Sequence, residues 1–565
     1  MGGILIISNK WWEKAIIYQI YPRSFKDTTN NGIGDIQGIM QHLPYLQQLG
    51  INTLWVNPVI ESAQEDYGYD VSDYYAIDPL FGTMNEAKAF IKEVHKRDMK
   101  IIFDFPLNHT SAQHYWFQEA LKGPDNPYRD FYIWADAPED REFPNNWASN
   151  FSGSAWTKEP NGNQFYLHLF KESMPDLNWD NLAVRKAMLS VAKFWVDNGI
   201  DGFRFDAFIY IDKPEDLPDD KSVSSGEFGS GQQVTEYGTN LKIYLQELIS
   251  ELKKHKKDLF IIGEATTADS DTALTYLGAE NNLLDAIITF TYFPEVDAEK
   301  DARLPAKKLA GRLDKQKFKT IMSDWQKKVA DKKGAILYWN SHDSVRGVSR
   351  FGDDEAFRDN SSKMLATLMY LQQGIPLIYY GEEIGQKNLV YEDIGKIETP
   401  GVEDFYTKAK KIGYSDESIL YHLNHVAKDV ARGIMQWDSS KYAGFSTVKP
   451  WIGWYQEEKY NVADQEADSD SILNYYRKLL FLKKESLFID GSFDLKDSKE
   501  TLYIYERLLE DQKALIYCNF SDTSEVVQVD QELQKSWSIA IQNDGNLLDG
   551  TALTLAPFGA IVFRK

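Results

Sequence analysis

The stretch of sequence that decides the fold is IIFDFPLNH, which spans residues 101–109. It opens with an apolar run interrupted by one acid, Asp104, and it ends on Asn108 and His109. An amphipathic segment, residues 86–97, precedes it, and the apolar residues of that segment recur at helical spacing. A helix that leads into a short apolar strand is the repeating unit of α/β proteins. We therefore expect a parallel sheet in which polar side chains stand at the end of a buried strand.

The same alternation of apolar runs and helical patterns continues on both sides of this stretch. It yields eight strand candidates, and eight βα units predict an α/β fold of the closed (β/α)₈ TIM barrel type. An open doubly wound sheet is the alternative, but it requires a G-x-G-x-x-G turn, and Gly32, Gly34 and Gly38 have the wrong spacing. The candidates are Ala15–Tyr21, Thr53–Val56, Ile101–Phe105, Gly202–Phe205, Leu259–Ile262, Ala286–Phe290, Ala335–Trp339 and Pro376–Tyr380.

Two parts of the chain break the alternation. Residues 109–178 are rich in turn residues and aromatic side chains and lack a clear helical period, which predicts a domain inserted after the third strand, here named domain B. Residues 491–565 contain short strand-like runs with polar turns, which predicts a C-terminal antiparallel β-sandwich, domain C. The barrel, domain A, then comprises residues 1–108 and 179–490.

Composition narrows the possible partners. The 565 residues include 62 Lys and Arg against 85 Asp and Glu, a formal net charge of −23, so nucleic acid and anionic membrane surfaces are not expected partners. The single cysteine, Cys518, excludes an internal disulfide and is expected in a buried strand. The uncharged stretch 364–381 is broken by Pro376, which favours a buried helix, a turn and a strand over a membrane span. Residues 1–10 lack the pattern of a signal peptide, and we expect a cytoplasmic monomer.

Four of the strand candidates carry or end on an acidic side chain. In a barrel the carboxyl ends of the strands meet at one rim, where catalytic groups lie. A polar residue after a strand often only caps the next helix, but four acids on one rim repel each other and raise at least one carboxyl pKa. Glycoside hydrolysis needs one ionised and one protonated carboxyl group. The rim set comprises Asp104, Asp206, Glu264 and Asp343, with Arg204, His109 and His342 beside them.

These residues resemble, in order along the chain, the signature regions of glycoside hydrolase family 13, the α-amylase family. Residues 104–109 (DFPLNH), 202–206 (GFRFD), 263–264 (GE) and 342–343 (HD) are similar to its four regions. Residues 174–178 (MPDLN) and 432–438 (RGIMQWD) with 443–445 (AGF) resemble its oligo-1,6-glucosidase and α-glucosidase branch. The family fold, a TIM barrel with domains B and C, agrees with the pattern described above.

The resemblance implies a role for each matching position. Asp206 would be the nucleophile, Glu264 the acid/base and Asp343 a group that stabilises the transition state and holds sugar hydroxyls. Arg204 would keep Asp206 ionised. The resemblance thus implies a retaining, exo-acting α-glucosidase. Such an enzyme releases glucose from the non-reducing end of short α-1,4- or α-1,6-linked substrates, and its chemistry requires no cofactor. The implied substrate-binding residues are Asp66, Tyr69, His109, Arg204, Ala207, His342 and Arg432, of which Asp66 and Arg432 resemble the pair that closes the pocket.

The loop Asp27–Asp35 resembles the divalent-ion loop of the family. Its candidate ligands for Ca²⁺ or Mg²⁺ are Asp27, Thr29, Asn31, Ile33 and Asp35. An EF-hand is excluded because Gly38 stands where the bidentate Glu is required. Thr29 and Asn31 stand where the branch has Asn and Asp, so fewer charges are present, and a metal-free Asx turn remains the alternative.

Other positions depart from the branch pattern and bear on substrate preference. Ser341 replaces Asn, Ser344-Val345 replaces Gln-Pro, Lys428 replaces a second Arg, and Pro106-Leu107 is atypical in the first region. A strict oligo-1,6-glucosidase, and a transglycosylase or sucrose isomerase, are therefore the alternative functions. A non-catalytic, transporter-associated relative would lack the catalytic acids and carry a membrane anchor. Because the sequence contains these acids, this alternative is not favoured. In the family the residue after the nucleophile lies against the second sugar. The resemblance therefore implies that Ala207 leaves room for an α-1,4-linked sugar, which Val would fill, without excluding an α-1,6 link.

Overall fold

Eight parallel strands form a closed barrel in the computed structural model, which describes residues 10–223, 227–278, 283–296, 301, 304–305 and 308–565. Numbered along the chain, the barrel strands are hydrogen-bonded in the order 6-5-4-3-2-1-8-7, and a parallel bridge between Ile287 and Ala335 joins strand 6 to strand 7. The predicted TIM barrel is confirmed. The strands are Ile17–Ile20, Thr53–Val56, Lys100–Pro106, Gly202–Asp206, Phe260–Glu264, Ala286–Ile288, Ile336–Leu337 and Ile375–Tyr379.

Helices surround this barrel and connect its strands. The helix before strand 3 begins with a capping box, in which Thr83 and Glu86 bond each other's backbone N–H groups. Two helix ends are followed by glycines with positive φ, Gly50 at 101° and Gly199 at 105°, a conformation that a side chain disfavours. The main helices are Ile36–Gln41, Leu43–Leu49, Met84–His95, Leu182–Asp197, Leu241–His255, Ser270–Leu274, Lys315–Lys328, Arg358–Tyr370, Val402–Lys411, Asp416–Val426 and Ile472–Lys483.

The barrel strands read as nearly continuous apolar runs because side chains on both faces are buried, one face in the barrel and the other under helices. Charged residues enter this core near the carboxyl ends of the strands. Arg204, on strand 4, is 1% exposed and lies between Asp104 on strand 3 and Glu264 on strand 5. The strand register therefore brings together acids that are far apart in sequence.

Domain B leaves the barrel after strand 3. It contains a short helix, Tyr115–Ala120, and an antiparallel sheet in which Phe165–Leu167 lies between Trp134–Ala135 and Trp156–Lys158. The buried ammonium of Lys213, which follows strand 4, bonds Asn108 Oδ1 at 2.6 Å and lies 2.8 Å from Asp176 Oδ2. This contact ties both ends of the insertion to the barrel rim. The limits of 109–178 stay a prediction.

Domain C consists of two antiparallel sheets with an apolar cluster between them that includes Leu502, Leu553 and Phe563. Cys518 lies fully buried on the strand Gln512–Asn519, as predicted. Four strands were not predicted, Ser492–Leu495, Glu525–Gln528, Leu547–Asp549 and Ala552–Leu555, because they are short and three of them are mostly exposed. No helix in the described residues is long and apolar enough to cross a membrane, and stretch 364–381 forms the expected helix, turn and strand.

Candidate active site

A cavity of about 330 Å³ opens at the carboxyl ends of the barrel strands. Seven of the predicted catalytic and substrate-binding residues line it, and the other three, Arg204, His342 and Arg432, lie against the lining residues. Phe170 and Met174 of domain B and Thr399, Pro400 and Lys428 from the segment after strand 8 complete its walls. The seven lining residues are Asp66, Tyr69, His109, Asp206, Ala207, Glu264 and Asp343.

Arg204 is the electrostatic centre of the site. Its Nη1 donates to Asp104 Oδ1 at 2.9 Å and also to Asp206 Oδ1, while its Nη2 lies 2.5 Å from Glu264 Oε1. One cation is therefore shared among three carboxyl groups that would otherwise repel one another in a buried site. Because the acids outnumber the cation, at least one of them is favoured in its protonated form.

The pKa values of the two central acids follow from this arrangement. Burial raises the pKa of Asp206 to about 6, since Arg204 offsets only part of the cost and Asp104 and Asp343 add repulsion. Burial raises the pKa of Glu264 to about 7, again against the attraction of Arg204. Glu264 is thus the last of the pair to lose its proton as the pH rises. This order is the one that an acid/base and a nucleophile require.

His342 is held neutral and in one orientation. The side-chain amide of Gln19 donates to its Nδ1 at 2.7 Å, so the hydrogen is on Nε2, which lies 3.0 Å from Asp343 Oδ2 and 2.6 Å from the Tyr69 hydroxyl. Burial lowers the pKa of His342 to about 4, although Asp343 pulls it upward. The ring of Tyr69 stacks on His342 with an interplanar angle of 9°. Tyr69 therefore has a fixed position beside the catalytic acids.

Asp343 is the one acid of the site with a lowered pKa. Burial would raise its pKa, but His342 and Lys428 act against burial and bring it well below the usual range. Its carboxylate meets Lys428 Nζ at 2.6 Å, and its backbone N–H donates to Ser341 Oγ at 3.2 Å. Asp343 is thus ionised while Glu264 carries the proton.

His109 presents an unused polar atom to the cavity. Its Nδ1 lies 3.3 Å from the amide of Asn108, whereas its buried Nε2 has no hydrogen-bond partner among the described residues. Burial lowers the pKa of His109 to about 3, so the ring is neutral. A buried polar atom without a partner costs stability unless a ligand satisfies it. The sugar-binding role of His109 stays a prediction.

Ala207 has a strained backbone. Its φ is 49° and its ψ is 25°, the left-handed region that residues with a side chain seldom adopt. Its N–H lies 3.5 Å from Glu264 Oε2, so the bend after Asp206 directs the chain toward the second acid. Such strain is typical of active sites, where the surrounding structure maintains it.

Two loops meet at the mouth of the cavity. The Tyr67 hydroxyl donates to Glu398, which joins the loop after strand 2 to the segment after strand 8. Asp66 lies next to it on the wall. Asp66 and Arg432 do not form an ion pair in the structure; Arg432 instead donates to the backbone oxygen of His342 at 3.1 Å and lies 3.8 Å from Asp343 Oδ1. The Tyr67–Glu398 contact, which the sequence did not indicate, thus joins the two segments that carry Asp66 and Thr399 of the cavity wall.

The loop Asp27–Asp35 lies outside the cavity and bonds itself. Asp27 accepts from the backbone N–H groups of Thr29, Asn30 and Gly32 at 2.8–2.9 Å, from the Thr29 hydroxyl at 3.3 Å and from Ser446 Oγ at 2.5 Å. Asp35 accepts from Thr28 and Gly38. A carboxylate has about four lone-pair directions, so Asp27 is saturated. Both carboxylate oxygens of Asp27 thus already accept hydrogen bonds from the protein, whereas Ca²⁺ takes six to eight oxygens.

Sequence reasoning missed several residues of the site. The sequence marks Lys428 only as a departure from the branch pattern, and no motif indicates the other lining residues Lys308, Phe151, Phe170 and Phe290. The sequence does contain a sign of the importance of Lys428: it stands where the branch has a second Arg before Arg432, so the positive charge at this position is kept. The aromatic residues lie in or beside irregular segments, where no spacing rule predicts a shared wall.

Comparison with known proteins gives the family. The α-amylase catalytic domain matches residues 19–491. An oligo-1,6-glucosidase of Halalkalibacterium halodurans is 40% identical over 518 residues, 91% of each chain. A trehalose-6-phosphate hydrolase of Bacillus subtilis is 37% identical, covering 98% of each chain.

The solved structure of trehalose-6-phosphate hydrolase from Bacillus licheniformis has a TM-score of 0.90 at 36% identity, over 98% of this chain and all of that chain. An isomaltulose synthase from Klebsiella has a TM-score of 0.90 at 31% identity, over 98% of this chain and 99% of that one. With the acids, the barrel and these matches in agreement, the chain belongs to the α-amylase family of glycoside hydrolases.

Proposed function

We propose that the protein is a retaining, exo-acting α-glucosidase that releases glucose from short α-gluco-oligosaccharides. The observation that carries this proposal is the sharing of Arg204 by Asp206 and Glu264, with the pKa of Glu264 raised to about 7 and that of Asp206 to about 6. Near neutral pH the pair therefore offers one carboxylate and one carboxylic acid. Retaining glycosidases need both in one site.

The proposed reaction has two steps. The carboxylate of Asp206 attacks the anomeric carbon while Glu264 gives its proton to the glycosidic oxygen, which leaves as the aglycone hydroxyl. In the second step Glu264 takes a proton from water, whose oxygen attacks the same carbon and releases Asp206. The ionised Asp343 is placed to bond sugar hydroxyls and the positive charge that develops on the ring.

The shape of the site supports exo action. The cavity is a pocket of about 330 Å³ whose wall includes Asp66 and Tyr69, and the Tyr67–Glu398 contact joins two of the segments beside it. A long internal stretch of polysaccharide cannot pass through such a pocket, whereas a terminal glucose can enter it.

The experiment that tests the function is hydrolysis of maltose, isomaltose, panose, sucrose, trehalose and trehalose 6-phosphate, with early NMR spectra of the products. We expect glucose to appear first as the α-anomer, because two inversions at one carbon retain its configuration. Early β-glucose would reject the mechanism. No glucose from any substrate would reject the function.

The linkage preference is expected to depend on Ala207. The side chain of Ala207 lies on the cavity wall next to Asp206, so Ala207→Val should add bulk where an α-1,4-linked second sugar passes. We expect the ratio of maltose to isomaltose turnover to fall by about threefold or more. The ratio is the readout because the left-handed backbone at this position strains the variant equally for both substrates. An unchanged ratio, or a wild type that ignores maltose, would show that this steric interpretation is wrong.

A strict oligo-1,6-glucosidase is the second candidate, since relatives over nearly the whole chain carry that name. Sucrose isomerases and trehalose-6-phosphate hydrolases are structural neighbours. Lys308 and Lys428 are the two lysines among the residues that line the cavity, and they bond the Pro400 oxygen and Asp343, respectively. The same substrate panel separates these candidates, because an isomerase returns a disaccharide whereas a hydrolase returns free glucose.

We also propose that the Asp27–Asp35 loop keeps its fold without a divalent ion. The hydroxyls of Thr28, Thr29 and Ser446 and the loop N–H groups occupy the carboxylate oxygens. We expect EDTA to change the melting temperature by less than about 1 °C. An ion at a hundred times its Kd would contribute about 2.7 kcal/mol. Because the unfolding entropy of a chain of 565 residues is about 1.2 kcal/mol per degree, removal of the ion would lower the melting temperature by about 2 °C. Recovery of such a loss with excess Ca²⁺ or Mg²⁺ would show that the loop holds an ion.

We further propose that the protein acts as a monomer in the cytoplasm. Its net charge of −23 supports this proposal, since like-charged copies repel one another. Light scattering after size-exclusion chromatography tests the monomer, with 65.0 kDa as the expected mass.

A further inference from the structure

A lysine of the cavity wall contacts one of the acids of the site. Lys428 begins a short helical turn, Lys428–Ala431, in the segment after strand 8, and its Nζ lies 2.6 Å from Asp343 Oδ1. The Lys428 side chain is 34% exposed and lines the cavity, whereas Asp343 is 16% exposed. The ammonium group of Lys428 is therefore more exposed to solvent than the carboxylate that it contacts.

We propose that Lys428 is a positioning residue that fixes the Asp343 carboxylate through its ion pair and supplies the second positive charge on which the balance of the catalytic acids depends. The proposal rests on the proposed glycosidase function, because it assigns Asp343 a task in that reaction. It assigns Lys428 no direct step on the substrate.

The geometry around Asp343 shows why a positioning group is needed. His342 Nε2 holds Oδ2 at 3.0 Å, but the other two cations near the carboxylate are distant, with Arg204 Nη2 at 3.9 Å from Oδ2 and Arg432 Nη2 at 3.8 Å from Oδ1. Lys428 is thus the short contact to Oδ1 within the described residues. Without it, the carboxylate is anchored at one oxygen and can rotate about its terminal bond.

The second part of the proposal concerns charge. Glu264 faces Arg204, Asp206, Asp343 and Lys428. Asp104 and the phenol groups of Tyr210 and Tyr338 also interact with it. Arg204 and Lys428 lower the pKa of Glu264, while burial, Asp206 and Asp343 raise it. Loss of the Lys428 charge removes one of the two cations that stabilise the ionised form of Glu264, whereas the neighbouring carboxylates still repel it. The proton on Glu264 would then be held more tightly.

Two substitutions test the proposal, Lys428→Met, which keeps the length and removes the charge, and Lys428→Arg, which keeps the charge. For Lys428→Met we expect kcat/KM to fall about tenfold or more and the basic limb of its pH profile to move upward by a few tenths to about one pH unit. Lys428→Arg should restore the pH profile and most of the activity. Lys411→Met, on the exposed face of a neighbouring helix, is the matched control and should match wild type in both measurements.

The outcomes separate this proposal from the function on which it rests. A Lys428→Met variant with wild-type kcat/KM and an unmoved basic limb overturns the positioning role, even if the wild type is a normal glucosidase. A fall in kcat/KM that Lys428→Arg does not rescue overturns it as well. If the wild type cleaves no glucoside, the pairing is tested by the melting temperatures of Lys428→Met, Asp343→Asn and the double variant. A double variant whose melting temperature falls by less than the sum of the two single decreases supports the pairing, and simple additivity refutes it.

Discussion

Asp206→Asn should leave less than about a thousandth of the wild-type kcat, because an amide cannot form the covalent ester with the sugar. The fold should survive the change. Asp206 is buried, and burial and the neighbouring acids raise its pKa to about 6, so its ionised form costs stability near neutral pH. Removing one negative charge leaves Arg204 bonded to Asp104 and Glu264. We therefore expect the melting temperature to stay the same or to rise.

The measurement is the initial rate on the best substrate of the panel, with melting temperature and circular dichroism as controls for folding. A remaining rate of a tenth of wild type would refute the assignment of the nucleophile. Chemical rescue gives a further check with Asp206→Ala. Azide would enter the vacated space, attack the anomeric carbon directly and expel the aglycone, so that the product is the β-glucosyl azide.

Glu264→Gln is the second change with a large expected effect. We expect kcat/KM on a disaccharide to fall by about 10²–10⁴-fold, because the amide cannot give a proton to the leaving oxygen. A substrate with a good leaving group, such as 4-nitrophenyl α-glucoside, should lose much less in its first step. In Glu264→Ala, azide should attack the sugar ester of Asp206 and give the α-glucosyl azide, the opposite anomer to that from Asp206→Ala.

The pH profile checks the same assignment in the wild type. Activity should fall below about pH 6 as Asp206 takes up a proton, and above about pH 7 as Glu264 loses its proton. In Glu264→Gln, the rate of sugar-ester formation from 4-nitrophenyl α-glucoside can be measured in a single turnover as a function of pH. This pH profile should keep the acidic limb of the wild type and lose the basic limb. A basic limb that persists in that single-turnover measurement would mean that another group is the acid.

The barrel and its acids could be predicted from the sequence because both depend on local patterns. Strand 2, Thr53–Val56, has the predicted bounds, and strand 4 ends on Asp206, one residue beyond the prediction. Once strands 3, 4 and 5 are adjacent and parallel, Asp104, Asp206 and Glu264 must meet at one rim. The order of the strands thus converts positions in the sequence into a site.

The rest of the site depends on contacts that no local pattern encodes. The Tyr67–Glu398 contact joins residues 331 positions apart, and the Lys428–Asp343 pair joins residues 85 apart, one at the start of a short helical turn and one in the turn after strand 7. The left-handed backbone of Ala207 is also invisible in the sequence, because glycine is the residue that usually marks such a position. The loop Asp27–Asp35 shows the same limit, since its sequence resembles an ion site while its oxygens are occupied by its own donors.

The single cysteine has a practical consequence for the study of this enzyme. Cys518 is fully buried on a strand of domain C, and burial raises the pKa of its thiol, so the native protein offers no reactive sulfur at its surface. A cysteine introduced at an exposed position beside the mouth would therefore be labelled alone, without first removing a native one. Paired with a second introduced cysteine on the opposite loop, such a label would report by fluorescence energy transfer how often the mouth opens while substrate enters and glucose departs.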